Sequence, residues 1–152
     1  YKQVLKVYPD ATLNILGQGS MREELEQYVL DEQLTGVRFV GQVPNTQIYD
    51  YLAQADIMLS AAKIDNMPVS LLEAMNAGLL VISSRVGGVP YMIDDGKTGL
   101  LFTSDNDQEL AEKMLWALAH TDEVNQIVAR AQEDVKQYVW ENVKEKLMKV
   151  YG

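Results

Sequence analysis

A chain of 152 residues, 47% of them hydrophobic and 23% charged, fits one domain of ordinary globular composition and excludes the disordered, collagen-like and coiled-coil classes. The formal net charge of −9 argues against a general nucleic-acid binder, and the lack of cysteine removes disulfides and thiolate metal sites, in keeping with a cytoplasmic protein. No apolar run approaches the roughly 18 residues of a membrane span, and the opening YKQVLKVYPD has no apolar leader pattern.

Short apolar runs alternate with longer amphipathic ones, the order that a parallel sheet with crossover helices produces. A strand is expected over 12–16. A helix over 20–34 follows, with Met21, Leu25, Tyr28 and Val29 at helical spacing and Ser20 with Glu23 as a capping box. A strand over 37–40 precedes a helix over 46–54, whose inner face is Ile48, Tyr51 and Leu52. A strand over 56–60 leads to a helix over 67–77, closed by Gly78 as a left-handed cap. Strands over 79–83 and 99–102 complete the sheet. Beyond them only helices are expected, over 107–119, over 121–138 and in a last stretch with Val143, Leu147 and Val150; Asp107 and Thr121 are the expected N-caps. The fold class is therefore α/β: a Rossmann-like parallel sheet of five strands with flanking helices and a helical C-terminal segment.

In open parallel sheets, ligands bind outside the C-terminal ends of the strands. That rule selects the loops 17–19, 41–44, 61–68, 84–88 and 103–105, four of which carry a glycine or a proline. Gly17-Gln18-Gly19 resembles the start of a dinucleotide fingerprint, but Arg22 occupies the third glycine position, so a tight turn into a helix is the better reading. The most distinctive loop, Asp65-Asn66-Met67-Pro68, runs into a helix on which Leu71, Leu72 and Met75 face the sheet and Glu73 points away. A carboxylate there can accept hydrogen bonds from both hydroxyls of a ribose, while the helix N-terminus offers N–H groups to a diphosphate. The single histidine, His120, sits between two helices and reads as a structural or surface residue. No grouping has metal-ligand spacing, and no nucleophilic triad can be assembled.

Three blocks of this sequence carry a family resemblance: LNILGQGSMREELE, VRFVGQVPNTQIYDYLAQADIMLS and DNMPVSLLEAMNAGLLVISSRVGGVPYMIDDGKTGLLF. In order and spacing they are similar to the C-terminal domain of family 4 glycosyltransferases, retaining enzymes of the GT-B fold, and the closing WENVKEKLMKVYG resembles the last helix of such enzymes. That family has two acids separated by seven residues, matched here by Asp65 and Glu73. The resemblance implies that Glu73 binds the ribose of a nucleoside-diphosphate sugar and that Asp65 lies beside the transferred sugar as the catalytic acid of the pair. Asn66, Met67, Pro68 and Val69 would then lie along sugar and diphosphate, with Val43 at the nucleobase and Gly17, Gly87 and Gly88 lining the crevice. Asp65 is one methylene shorter than the family's Glu, and Asn66-Met67-Pro68 replaces Gly-Phe-Gly, so Pro68 brings no N–H.

The expected protein is one nucleotide-sugar-binding domain of a larger two-domain enzyme. The resemblance puts the acceptor-binding domain, and the Arg and Lys that grip the donor phosphates, on segments before Tyr1. It also implies transfer with retention, no required metal or other cofactor, no nucleic-acid partner and a role in cell-surface polysaccharide synthesis. The place of work would be the cytoplasm or, peripherally, the inner face of the membrane. Two other readings stay open: a sugar-nucleotide epimerase of the same architecture, and a catalytically silent nucleotide-sugar-binding module.

Overall fold

The computed structural model describes residues 1–151, and its packing falls into two compact units, Tyr1–Tyr51 and the chain from Leu52 onward. The first contains helix α1 (Lys2–Val7), strand β1 (Leu13–Leu16), helix α2 (Arg22–Asp31) and strand β2 (Val37–Gly41), and ends within helix α3 (Ile48–Leu52). Strands β1 and β2 run parallel, Leu13 beside Val37 and Ile15 beside Phe39, as the crossover through α2 requires. The Tyr1 hydroxyl donates to the carbonyl of Ala11 at 2.6 Å, which ties the start of the chain to the approach to β1.

Helix α2 departs from expectation. None of its residues is buried, and Met21, Leu25 and Tyr28 are 55%, 41% and 51% exposed. The Ser20–Glu23 capping box is not formed; the helix begins at Arg22 behind Met21, with no side-chain cap. Glu23 and Glu24 in the first turn still complement its positive end.

The second unit contains β3 (Ile57–Ser60), helix α4 (Val69–Ala77), β4 (Leu80–Ser84), helix α5 (Val89–Met92) and β5 (Leu100–Phe102). Its strands are parallel in the order β3-β4-β5. Central β4 is buried at all five residues, which is why LVISS begins as an unbroken apolar run without alternation. Helix α4 lays Leu71, Ala74 and Met75, each 0% exposed, against this core and ends at Gly78 with φ 86° and ψ 25°, the expected left-handed cap. It starts two residues later than expected because a residue before proline is disfavoured in helical conformation, which keeps Met67 out. Helices α6 (Asp107–Ala119), α7 (Thr121–Asp134) and α8 (Trp140–Tyr151) form the C-terminal helical segment, with a 3₁₀ turn, Val135–Tyr138, before the last.

The strands form ladders of two and three, not one hydrogen-bonded sheet of five. Apolar runs specify strands but leave their partners open, since pairing is decided by contacts remote in sequence.

Two N-caps also differ. Helix α7 is preceded by His120 with no side-chain cap, so Thr121 is its first residue and not its cap. At α6 the cap is Asn106, not Asp107: its Oδ1 accepts from the Glu109 N–H at 3.1 Å, and Glu109 Oε2 accepts from the Thr103 N–H at 2.8 Å and from Asn106 Nδ2 at 3.3 Å. The Thr103 N–H holds the Glu109 carboxyl below its ordinary value. A lowered folded-state value means a stabilising contribution that is present above the unfolded value of about 4.3 and lost as pH falls through the lowered one. Glu109→Gln should therefore lower the melting temperature at pH 7 but converge with the parent in acid; parallel melting curves from pH 7 to 3 would refute the assignment.

Candidate functional site

In the first unit, the loops after β1 and β2 meet through the Gly17 N–H, which donates to the Gly41 carbonyl at 2.7 Å. Gly17 has φ +118° and open space around its α-carbon, so its backbone angle and not crowding demands glycine. Val43 is half-buried just beyond.

In the second unit, the loops after all three strands converge. The loop 61–68 is joined to the end of β4 by the Ser84 hydroxyl, which donates to the Ala62 carbonyl at 2.5 Å, and by the Gly88 N–H, which donates to the Asp65 carbonyl at 3.1 Å. Lys63 Nζ pairs with Asp105 Oδ1 beyond β5 at 2.9 Å; both ends are well exposed and the pair contributes little stability. Arg85 continues from β4 and reaches Asp95 Oδ2 at 2.6 Å, while Asp95 Oδ1 accepts from the Leu101 N–H at 2.9 Å, so β4 and β5 are also bound together at this edge.

Asp65 is half-buried in its loop, Asn66 is exposed, and Met67 and Val69 are 54% and 63% exposed. Pro68 is buried and serves as the N-cap residue of α4 with φ −68°. The Leu71 N–H is taken by the Pro68 carbonyl at 3.1 Å, whereas those of Val69 and Ser70 have no intrahelical acceptor. Glu73 is half-buried, on the side of α4 opposite Leu71, Ala74 and Met75. Neither the Asp65 nor the Glu73 carboxylate has a hydrogen-bond or ion-pair partner among the described residues. Gly87 and Gly88 lie against the backbone of Asp65 and Asn66. Thus the second unit brings Asp65, Asn66, Gly87 and Gly88 together, whereas Gly17 and Val43 belong to the other unit.

Sequence reasoning missed the Ser84 and Lys63 contacts. The available signal for the first was a pair of serines closing an otherwise apolar strand. His120 has the structural role expected of it: its ring stacks on Trp116 with centroids 4.9 Å apart, and its Nδ1 lies 2.8 Å from the Trp116 carbonyl at the end of α6. Among the described residues no cluster of three or more His, Asp or Glu could hold a metal ion, and no helix is long and apolar enough to cross a membrane.

Parallel strands with flanking helices and a helical C-terminal segment match the C-terminal half of a GT-B glycosyltransferase. Residues 1–134 match the family model described as "Glycosyl transferases group 1", and the chain belongs to that family. It is 30% identical over 145 residues to sulfoquinovosyl transferase SQD2 of Arabidopsis thaliana, covering 91% of this chain and 27% of that protein. Of four curated relatives it spans 26% to 40% of the length. The solved C-terminal domain of the group 1 glycosyl transferase LpcC from Francisella tularensis superposes with a TM-score of 0.81 at 24% identity, over 90% of this chain and 75% of that one. Anabaena HepE, solved with UDP-glucose, gives 0.80 at 25% identity over 93% of this chain and 42% of that one.

Proposed function

We propose that this chain binds the donor of a retaining glycosyltransferase, a nucleoside-diphosphate sugar, and presents it to an acceptor held by a second domain of the same enzyme. The observation that carries the reading is the seating of the Asp65 loop on the end of β4, directly ahead of α4 and its half-buried Glu73. Glu73 accepts hydrogen bonds from the ribose hydroxyls, and the N–H groups of Asn66, Met67 and Val69 face the diphosphate and sugar. Pro68 contributes shape, not a donor. Asp65, the catalytic carboxylate, meets a hydroxyl of the transferred sugar. The assignments of Val43 to the nucleobase and of Gly17 to the crevice rest on the family resemblance alone.

Donor activation in this reading is electrostatic. Negative charge develops on the leaving diphosphate, and fixed N–H dipoles aimed at that charge lower the barrier more than mobile water would. HepE carries UDP-glucose, so uridine nucleotides are the first donors to try. Calorimetric titration of this chain with UDP and with UDP-glucose should show the sugar strengthening binding. Asp65→Ala should remove that advantage, about tenfold to a hundredfold for one charge-assisted hydrogen bond, and leave UDP affinity nearly unchanged. Equal loss for both ligands would take Asp65 away from the sugar.

A further inference from the structure

The Asp65 loop is held by its backbone, and the turn after β4 does the holding. Ser84, 1% exposed at the end of β4, donates its hydroxyl to the Ala62 carbonyl at 2.5 Å. Four residues on, the Gly88 N–H donates to the Asp65 carbonyl at 3.1 Å. A β-carbon built on Gly87 would stand 2.0 Å from the Asp65 carbonyl oxygen, and one built on Gly88 would stand 1.8 Å from that of Asn66. Both obstacles are main-chain atoms, so no side chain can swing aside to make room. Gly87 has φ +49°, which favours glycine in any case, but Gly88 has φ −87°, which every residue adopts readily. At Gly88 the demand for glycine comes only from the peptide lying on it.

We infer that Ser84 and Gly88 are positioning residues: they clamp the Ala62–Asn66 backbone onto the end of β4 and so fix the height at which the Asp65 carboxylate and the following N–H groups meet the donor sugar. This rests on the assignment of Asp65 to the sugar. The clamp matters because the Asp65 side chain has no hydrogen-bond or ion-pair partner of its own among the described residues, and its aim depends on where the main chain is pinned. A carboxylate displaced by about an ångström loses much of its advantage at a reacting centre. Ser84 acts at one end of the segment and Gly88 at the other, so loss of the Ser84 hydroxyl should free the loop without removing any group placed at the ligand.

Two measurements on the 152-residue chain test this. Amide hydrogen exchange in the absence of ligand should be faster by about tenfold at the Gly88 N–H, the clamp's other hydrogen bond, in Ser84→Ala, with β5 and α6 unchanged, as the loss of one local hydrogen bond predicts. Titrations should show the preference for UDP-glucose over UDP falling about fivefold in the same variant while UDP affinity holds, a split that general loosening of the fold would not give. Gly88→Ala should displace the Asn66 peptide and lower the preference more strongly; should it fail to fold, Ser84→Ala decides. Unchanged exchange at Gly88 in Ser84→Ala overturns the clamp whatever the ligands do, and so does faster exchange with an intact preference when Asp65→Ala abolishes that preference. If Asp65→Ala itself leaves the preference intact, the sugar assignment is what fails, and exchange alone then decides whether the clamp exists.

Discussion

Replacing Glu73 by Gln should weaken UDP binding by roughly 1.5–3 kcal/mol for each charge-assisted hydrogen bond it makes to the ribose, and leave the melting temperature close to that of the parent. The separation of effects follows from the helix. Leu71, Ala74 and Met75 are wholly buried and anchor α4, while Glu73 lies on the opposite side and contributes nothing to that packing. Its carboxylate is half-buried and has no hydrogen-bond or ion-pair partner within the described chain, so the substitution breaks no internal hydrogen bond. Gln keeps the size and loses the charge, and it turns one acceptor into a donor that a ribose diol cannot use in the same way. Calorimetry with UDP is the measurement, and an unchanged dissociation constant would remove Glu73 from the site. A fall in stability that matches the fall in affinity would instead make it a structural residue.

The parts of this fold that could be read from the sequence are those where one local pattern decides the outcome. Leu80–Ser84 is a strand because a nearly all-apolar run between a left-handed glycine and a polar turn has only a central sheet position to occupy, and the structure buries all five residues there. Glu73 could be placed because helical periodicity fixes which residues of α4 face the core. By contrast, α1 and α5 have six and four residues, too few turns to display a period, and neither was anticipated. The exposure of Leu25 and Tyr28 on α2 was hidden for another reason: periodicity marks an apolar face but says nothing of what covers it. The seat of the Asp65 loop was likewise invisible. It depends on Gly88 meeting the carbonyl of Asn66, a contact between two turns whose glycine looks locally like any other turn residue.

The largest effect concerns transfer itself. This chain alone should fold and bind a nucleotide sugar weakly, yet move no sugar to an acceptor. Folding is expected because the second unit supplies a core from three parallel strands, with α4, α6 and α7 contributing Leu71, Met75, Met114 and Ile127 to it. Binding is expected because Glu73 and the first turn of α4 belong to that same unit, and it should be weak because the resemblance puts the phosphate-gripping Arg and Lys on segments before Tyr1. Transfer asks for something more. An acceptor hydroxyl must be kept beside the anomeric carbon, and orienting the two reactants accounts for about 7–11 kcal/mol of a catalysed barrier. The family resemblance gives that task to another domain, and the chain covers only 27% of the length of SQD2, a relative 30% identical to it. Without the acceptor held, activation of the leaving diphosphate can lead at most to slow hydrolysis by water. Incubation of the purified chain with radiolabelled UDP-glucose and a mixed pool of glycan and lipid acceptors should therefore yield no labelled acceptor. Labelled acceptor formed by this chain would require an acceptor site within these 152 residues and would make the two-domain account of the chemistry wrong.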